Sequence, residues 1–415
     1  MNTYLFEQVL QAEKVLRGVV NRTPLSWNEN QSATTGGEVL FKREDQQPVR
    51  SYKIRGAYNK LCSLSQAEKD TGIVCASAGN HAQGVAWSCR KMLIKGKIYM
   101  PVTTPAQKIK QVRYFGNGLV EVLLKGDTFD DAFAEAMKEA DVKGQVFIHP
   151  FDDEQVIAGQ GTTGLEILED ANGPVDYLFL PIGGGGLAAG ISTVFRKLSP
   201  HTKIIGVEPV GAPSMDTSIR LGINTTLSKI DKFVDGASVK RVGDLTFPIC
   251  RDNLDAIVLA PEGKVCSVML RLYNEEGMVL EPAGALSVAG LELCGYDLKG
   301  KRVVCIISGS NNDITRTEEI RERSLLYEGL KHYFIIRFPQ RPGALREFLN
   351  EVLGKEDDIT YFQFAKKNNR ENAPAIVGLE LSDPGNHKVL MERMKAKEIT
   401  CEYINDRPEL FEYLI

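Results

Sequence analysis

Four consecutive glycines, Gly183 to Gly186, restrict what this chain can fold into more than any other stretch. They follow the apolar run Tyr177–Leu180 and precede a helix-like run that ends near Leu198. A strand that turns through glycine into a helix is the repeating unit of α/β architecture. Without Cβ atoms, the backbone amides of such a turn can face inward at the positive end of the helix that follows. Two uses fit, a phosphate cradle or a tight turn that binds nothing, and four glycines in a row exceed what a turn requires. The spacing Gly184-x-Gly186-x-x-Ala189, with Glu208 beyond it, also matches a dinucleotide pattern. Which phosphate the loop would hold stays open on this pattern alone.

The same alternation runs on both sides of the glycines. Apolar runs predict strands at 38–44, 72–76, 97–100, 120–123, 145–148, 203–207 and 302–307. Helical spacing predicts helices at 5–20, 104–115, 128–139, 154–170, 264–276 and 283–294, with another running from the loop at 77–84 through Met92. Alternating strands and helices imply a largely parallel sheet. Residues 209–250 are rich in turn formers and yield no element.

Past the charged stretch 313–329 the pattern changes. A strand at 332–338, a helix at 343–353, strands at 359–365 and 375–381, a helix at 386–397 and a strand at 400–404 follow one another. This β-α-β-β-α-β order is the ferredoxin-like signature. We therefore expect a first domain at 1–320 with a smaller lobe inserted at about 46–150, a connector at 321–330, and a second domain at 331–415.

Composition excludes several functions. A net charge of -4 over 415 residues gives no footprint for nucleic acid or an anionic membrane. The eight cysteines form no CxxC pair and the five histidines lie far apart, so neither a disulfide framework nor a metal cluster is expected. No apolar run is long enough to span a bilayer, and residues 1–18 lack a signal-peptide layout. These features predict a soluble cytoplasmic protein.

Three further positions carry chemistry. Lys53 lies between Tyr52 and Ile54 at a helix start, where part-burial disfavours the ammonium and leaves the neutral amine that forms Schiff bases. Ser77-Ala78-Gly79-Asn80-His81 ends a strand, and its amides and small hydroxyl could hold a carboxylate while Asn80 meets a phenolic oxygen. A plain helix start explains that loop equally well, and His81 taken alone reads as structural. Ser308 ends an apolar strand, where a buried hydroxyl requires a partner, or else serves as an N-cap.

Taken in order, SYKIRGAY, SAGNHAQG, GGGGLAAG, EPAGA and SGSN resemble the fold-type II pyridoxal-phosphate enzymes, and among them the biosynthetic threonine dehydratases. The resemblance covers nearly the whole chain, including an ACT-like C-terminal module whose Arg341-Pro342-Gly343-Ala344-Leu345 joins its first strand to its first helix. It implies the two open α/β lobes of the tryptophan synthase β-like fold and pyridoxal 5'-phosphate as cofactor. It also implies that Lys53 forms the internal aldimine, that Asn80 contacts the ring hydroxyl, that Gly183, Gly184, Gly185, Gly186 and Leu187 bind the phosphate, and that Ser308 faces the pyridine nitrogen. Ser77 to His81 would bind the substrate, L-threonine, with L-serine as the alternative. Dehydration would leave an enamine, and its hydrolysis would return the water and yield 2-oxobutanoate and ammonia.

Two departures from related racemases carry meaning. Ala78 stands where serine racemases of this fold carry a second serine, which argues against racemisation. Ser214 stands where their divalent-metal site, near Glu208 and Ala212, has an acid, so no divalent metal is expected. The resemblance further implies feedback inhibition by isoleucine, activation by valine in some members, and a homodimer or homotetramer with ligand sites between subunits. A serine-preferring or broad catabolic dehydratase, a nicotinamide-dependent oxidoreductase and a non-catalytic amino-acid sensor are the rival readings.

Overall fold

The computed structural model describes residues 2–364 and 371–407, in two compact units, Met1–Asp313 and Ile314–Ile415. The end of the expected strand 359–365 and the last residues of the expected domain 331–415 lie outside the described residues.

The first unit holds two sheets. The larger has strands in the order Leu25–Trp27, Glu38–Arg43, Arg302–Ile307, Tyr177–Pro181, Lys203–Pro209 and Ala256–Ala260. Its pairs are parallel except the first, where Leu25 to Trp27 runs antiparallel to Leu40–Lys42. The smaller sheet is wholly parallel, in the order Val120–Leu124, Gly96–Met100, Ile73–Ala76 and Val146–Phe147. It is drawn from the middle of the unit, while the larger sheet takes strands from both sides of it. The central strands of both sheets are continuously buried, as parallel strands covered on two faces are. Each sheet has its own core, one around Leu178, Leu180, Ile191 and Phe195, the other around Ile54, Leu61, Val85 and Ile98.

Three expectations give way here. The first helix is Asn2–Leu16 and stops short of residue 20, because Gly18 takes φ +73 and Val19 and Val20 turn back to the Leu16 carbonyl. The turn-rich stretch contains the helices Ser214–Leu221 and Thr246–Asn253. The first is capped from outside its own neighbourhood, by Glu208 accepting from the N–H groups of Met215 and Asp216 at 2.8 Å each. Ala256–Ala260 forms an edge strand that no pattern signalled.

The second unit opens with the helix Thr317–Tyr327 and continues as an antiparallel sheet ordered Asp358–Phe364, Asn372–Glu380, Lys331–Pro339 and Cys401–Tyr403. The helices Ala344–Glu351 and Asn386–Ala396 complete the β-α-β-β-α-β order. Phe334, Ile336, Phe348, Val377 and Leu390 fill its core.

Candidate active site

Lys53 is the first residue of the helix Lys53–Ser63. Its Nζ lies 5.3 Å from the centre of the Tyr52 ring and donates to the Pro150 carbonyl at 2.8 Å. Removal from water pulls the amine down to about 8, against the opposing field of the Glu281 carboxylate. Two residues on, Arg55 is fully buried and locks the helix to the large sheet. It grips Glu44 through Nε and Nη2 at 2.8 and 2.7 Å, and Glu166 through Nη1 at 2.7 Å. Lys42 joins Glu166 at 2.6 Å, so two buried cations face two carboxylates.

The glycine loop joins the strand Tyr177–Pro181 to the helix Gly186–Leu198, with Gly185 at φ +93. Neighbours press on it from outside. A Cβ on Gly184 would lie 2.2 Å from the Phe151 ring, one on Gly183 2.9 Å from Ala237 Cα, and one on Gly185 2.7 Å from Thr246 Oγ1. Thr246 Oγ1 donates to the Gly184 carbonyl at 2.6 Å, which holds that carbonyl away from the cradle. Among the described residues, nothing accepts from the backbone N–H groups of Gly183 to Leu187. Close packing and a phosphate cradle therefore both call for glycine here. The unclaimed donors at a helix N-terminus suit an anion.

Asn80 begins the helix Asn80–Met92. Its Nδ2 donates to Glu281 Oε1 at 2.6 Å and its Oδ1 accepts from Asn311 Nδ2 at 2.7 Å. Ser77 Oγ accepts from the Gly79 N–H at 3.2 Å, and a Cβ on Gly79 would meet nothing within 4 Å, so the loop has open space beside it. Ala78 packs partly buried against the small-lobe core. His81 is buried, and its Nε2–H donates to the Ile148 carbonyl at 2.9 Å. Burial holds its ring neutral, with the pKa down to about 3, so the imidazole braces the loop and carries no charge to a substrate. Ser308 is buried and donates to the Ala283 carbonyl at 3.2 Å, while its own carbonyl accepts from the Tyr52 N–H. That carbonyl ties the strand end to the residue before Lys53.

Sequence reasoning passed over four residues of this arrangement. Pro150 and Phe151 lie in a stretch that carries no motif. Glu281 and Asn311 sit inside EPAGA and SGSN, where the sequence singles out Ser308 alone. Glu208, placed where a ribose-binding acid would be, is fully buried with both oxygens engaged by the Ser214–Leu221 helix, and burial raises its pKa to about 8. It has no oxygen left for a ribose, which removes the support for a dinucleotide site. Ser214 Oγ donates to the Val239 carbonyl and Ala212 is fully buried.

Residues 16–309 match the family described as pyridoxal-phosphate dependent enzyme, and residues 322–414 match the C-terminal regulatory domain of threonine dehydratase. The chain is 52% identical to the L-threonine dehydratase biosynthetic IlvA of Halalkalibacterium halodurans over 416 residues, covering 100% of both. The chain belongs to the threonine dehydratase family. To the corresponding protein of Bacillus subtilis strain 168 it is 52% identical, over 99% of this chain and 97% of that one. Among solved structures, the processed threonine deaminase isoform 2 of Solanum lycopersicum superposes with TM-score 0.74 at 40% identity, covering 78% of this chain and 88% of that one. Maize serine racemase gives TM-score 0.71 at 28% identity, covering 78% and 98%. Family membership brings pyridoxal phosphate as cofactor, and the donor set fits it. A partly neutral lysine suits the aldehyde, and a ring of unclaimed amides suits the phosphate.

Proposed function

We propose that this chain converts L-threonine to 2-oxobutanoate and ammonia, the first step toward isoleucine, with L-serine as the alternative substrate. The observation that carries this reading is the Lys53 amine, drawn toward neutrality and bonded to the Pro150 carbonyl, whose neighbour Phe151 packs on the unclaimed glycine loop. Lys53 Nζ would be the covalent anchor of pyridoxal phosphate. Gly183 to Leu187 would hold its phosphate, Asn80 its ring oxygen and Ser308 its ring nitrogen. When bound, the cofactor supplies an electron sink at the substrate's α-carbon.

The remaining steps belong to the chain. In its neutral form the Lys53 amine would take the α-proton as general base. Ser77 and the amides of residues 77–81 receive the substrate carboxylate. Ser308, uncharged, would partner the ring nitrogen by turning its hydroxyl from the Ala283 carbonyl, and would not enforce a positive charge there. A weaker sink favours prompt loss of the β-hydroxyl over transamination.

Residues 331–415, reached through the connector 321–330, would act as the regulatory domain, with residues 1–320 catalytic. A cavity of about 340 Å³ lies at the Arg341–Leu345 loop, bordered by Phe338, Phe362 and Phe364. Gly343 at φ +89 turns the chain into the helix Ala344–Glu351 there. Aromatic walls beside a helix N-terminus suit an apolar amino acid with its carboxylate, and isoleucine is the inhibitor we assign, with valine as activator. A homodimer or homotetramer in the cytoplasm completes the proposal.

The test is an absorption spectrum of the purified protein before and after L-threonine. Wild type should show a near-visible band and release a 2-oxo acid, and Lys53→Ala should lose the band and all but about 1/1000 of the turnover. A colourless protein that stays inert when supplied with pyridoxal phosphate would sink the proposal.

A further inference from the structure

The motifs EPAGA and SGSN come together around Asn80, and their geometry fixes more than a contact. Asn311 Nδ2 lies 2.8 Å from the Val49 carbonyl, which can only accept. That carbonyl decides which end of the Asn311 amide is nitrogen. The second N–H of the same nitrogen points to Asn80 Oδ1 at 2.7 Å, so the oxygen end of Asn80 is decided in turn. Its nitrogen end then meets Glu281 Oε1 at 2.6 Å. An amide nitrogen has two hydrogens, so one N–H of Asn80 remains uncommitted.

The arrangement is tightly enclosed. Glu281 is buried at 5% exposure, and its N–H donates to the Gly309 carbonyl at 3.3 Å. A Cβ on Gly309 would lie 2.2 Å from Glu281 Oε1, so the glycine of SGSN is what admits the glutamate of EPAGA. Two chain segments, one following the strand Arg302–Ile307 and one opening the helix Pro282–Leu293, thus converge on the Asn80 side chain, and Val49 fixes the first of them from behind.

We propose that Asn311 and Glu281 are positioning residues that set the orientation of the Asn80 amide, so that a single N–H is presented to the ring oxygen of the cofactor. This rests on the cofactor reading above. The backbone carbonyl of Val49 makes the orientation one-directional, since an inverted Asn311 would set oxygen against oxygen. Glu281 acts as an acceptor, so a glutamine able to turn its amide oxygen to Asn80 should replace it.

The experiment is a titration of the apo-protein with pyridoxal phosphate, reading the dissociation constant and the shape of the near-visible band. Asn311→Ala should weaken binding about tenfold, the factor that corresponds to one lost hydrogen bond of about 1.4 kcal/mol, and should redistribute the band. Glu281→Ala should do the same, while Glu281→Gln should keep both affinity and band near wild type. Should Asn311→Ala fail to fold, as judged by thermal unfolding of the apo-protein, the Glu281 pair decides alone. An Asn311→Ala protein with unchanged band and affinity would overturn the proposal, and so would a Glu281→Gln protein as impaired as Glu281→Ala. A wild-type chain that binds no cofactor would instead overturn the function assigned above, and this proposal with it.

Discussion

Arg55 in the first unit and Arg321 in the second both meet carboxylates, and they do so in opposite surroundings. Arg55 is fully buried between Glu44 and Glu166, with Lys42 beside them. Arg321 is 55% exposed where it reaches Glu380. Particular aromatic rings show the same contrast. Phe41, Phe179 and Phe195 are enclosed in the first unit, while Tyr361, Phe362 and Phe364 stand on an exposed edge strand of the second. The first unit builds its site from groups that have already left water. The edge strand of the second keeps apolar rings at the surface, where a small ligand or another copy can reach them. Chemistry needs the first arrangement, because a lysine becomes a base only when its ammonium is disfavoured. Regulation needs the second.

The sharpest way to break this comparison is Arg55→Met. It would leave Glu44 and Glu166 buried with Lys42 as their remaining cation partner, and should destabilise the protein by about 3–5 kcal/mol in urea unfolding. Cofactor affinity should fall in parallel, since Lys53 opens the same helix. Unchanged stability would mean the network does not anchor that helix.

A middle-sized effect is expected from Phe364→Ser in the exposed strand. Losing an aromatic wall worth about 1.5–3 kcal/mol should raise the half-inhibiting isoleucine concentration about tenfold or more. The unfolding midpoint should barely move, because this ring is 41% exposed. Inhibition as strong as wild type would place the effector elsewhere.

The smallest effect concerns pH. Lys53 titrates at about 8 in the fold against an ordinary lysine value of 10.5. Below about 8 the folded amine is charged, and above it the amine is neutral while an unfolded chain still holds its proton. The stability penalty of burying the ammonium is therefore present at low pH and fades as pH rises from about 8 to 10.5. Capture of pyridoxal phosphate should accelerate severalfold through about 8 and then level off, as followed by stopped-flow absorbance. A rate independent of pH in this range would show that the amine is not the titrating group.

Much of this was legible in the sequence, and the reason lies in which interactions are local. The expected helix at 154–170 matches Glu154–Asp170, because Asp153 caps it from the adjacent position. The strand into Gly183–Gly186 is equally local. The ferredoxin-like order was readable because each strand alternates or clusters apolar residues within a few positions. What failed to show is long-range. The helix Ser214–Leu221 is capped by Glu208, six residues before its first residue and across a turn. The partners of Asn80 are 201 and 231 positions away in the chain. Neither EPAGA nor SGSN announces that its polar residue will face another motif, since periodicity records which face is apolar and not which polar groups converge.

The segment from His149 to Asp153 bears on how such a protein can vary. Pro150 receives the Lys53 amine, Phe151 covers the glycine loop, Asp152 accepts from the N–H groups of Asp244 and Leu245, and Asp153 caps the next helix. Consecutive residues thus serve as a ruler between the amine and the glycine loop. One inserted residue would displace at least one of these marks, whatever its side chain. Tolerance in this stretch is therefore a matter of length before it is a matter of identity. A library that varies composition here at fixed length should retain binders, whereas one that varies length should lose them.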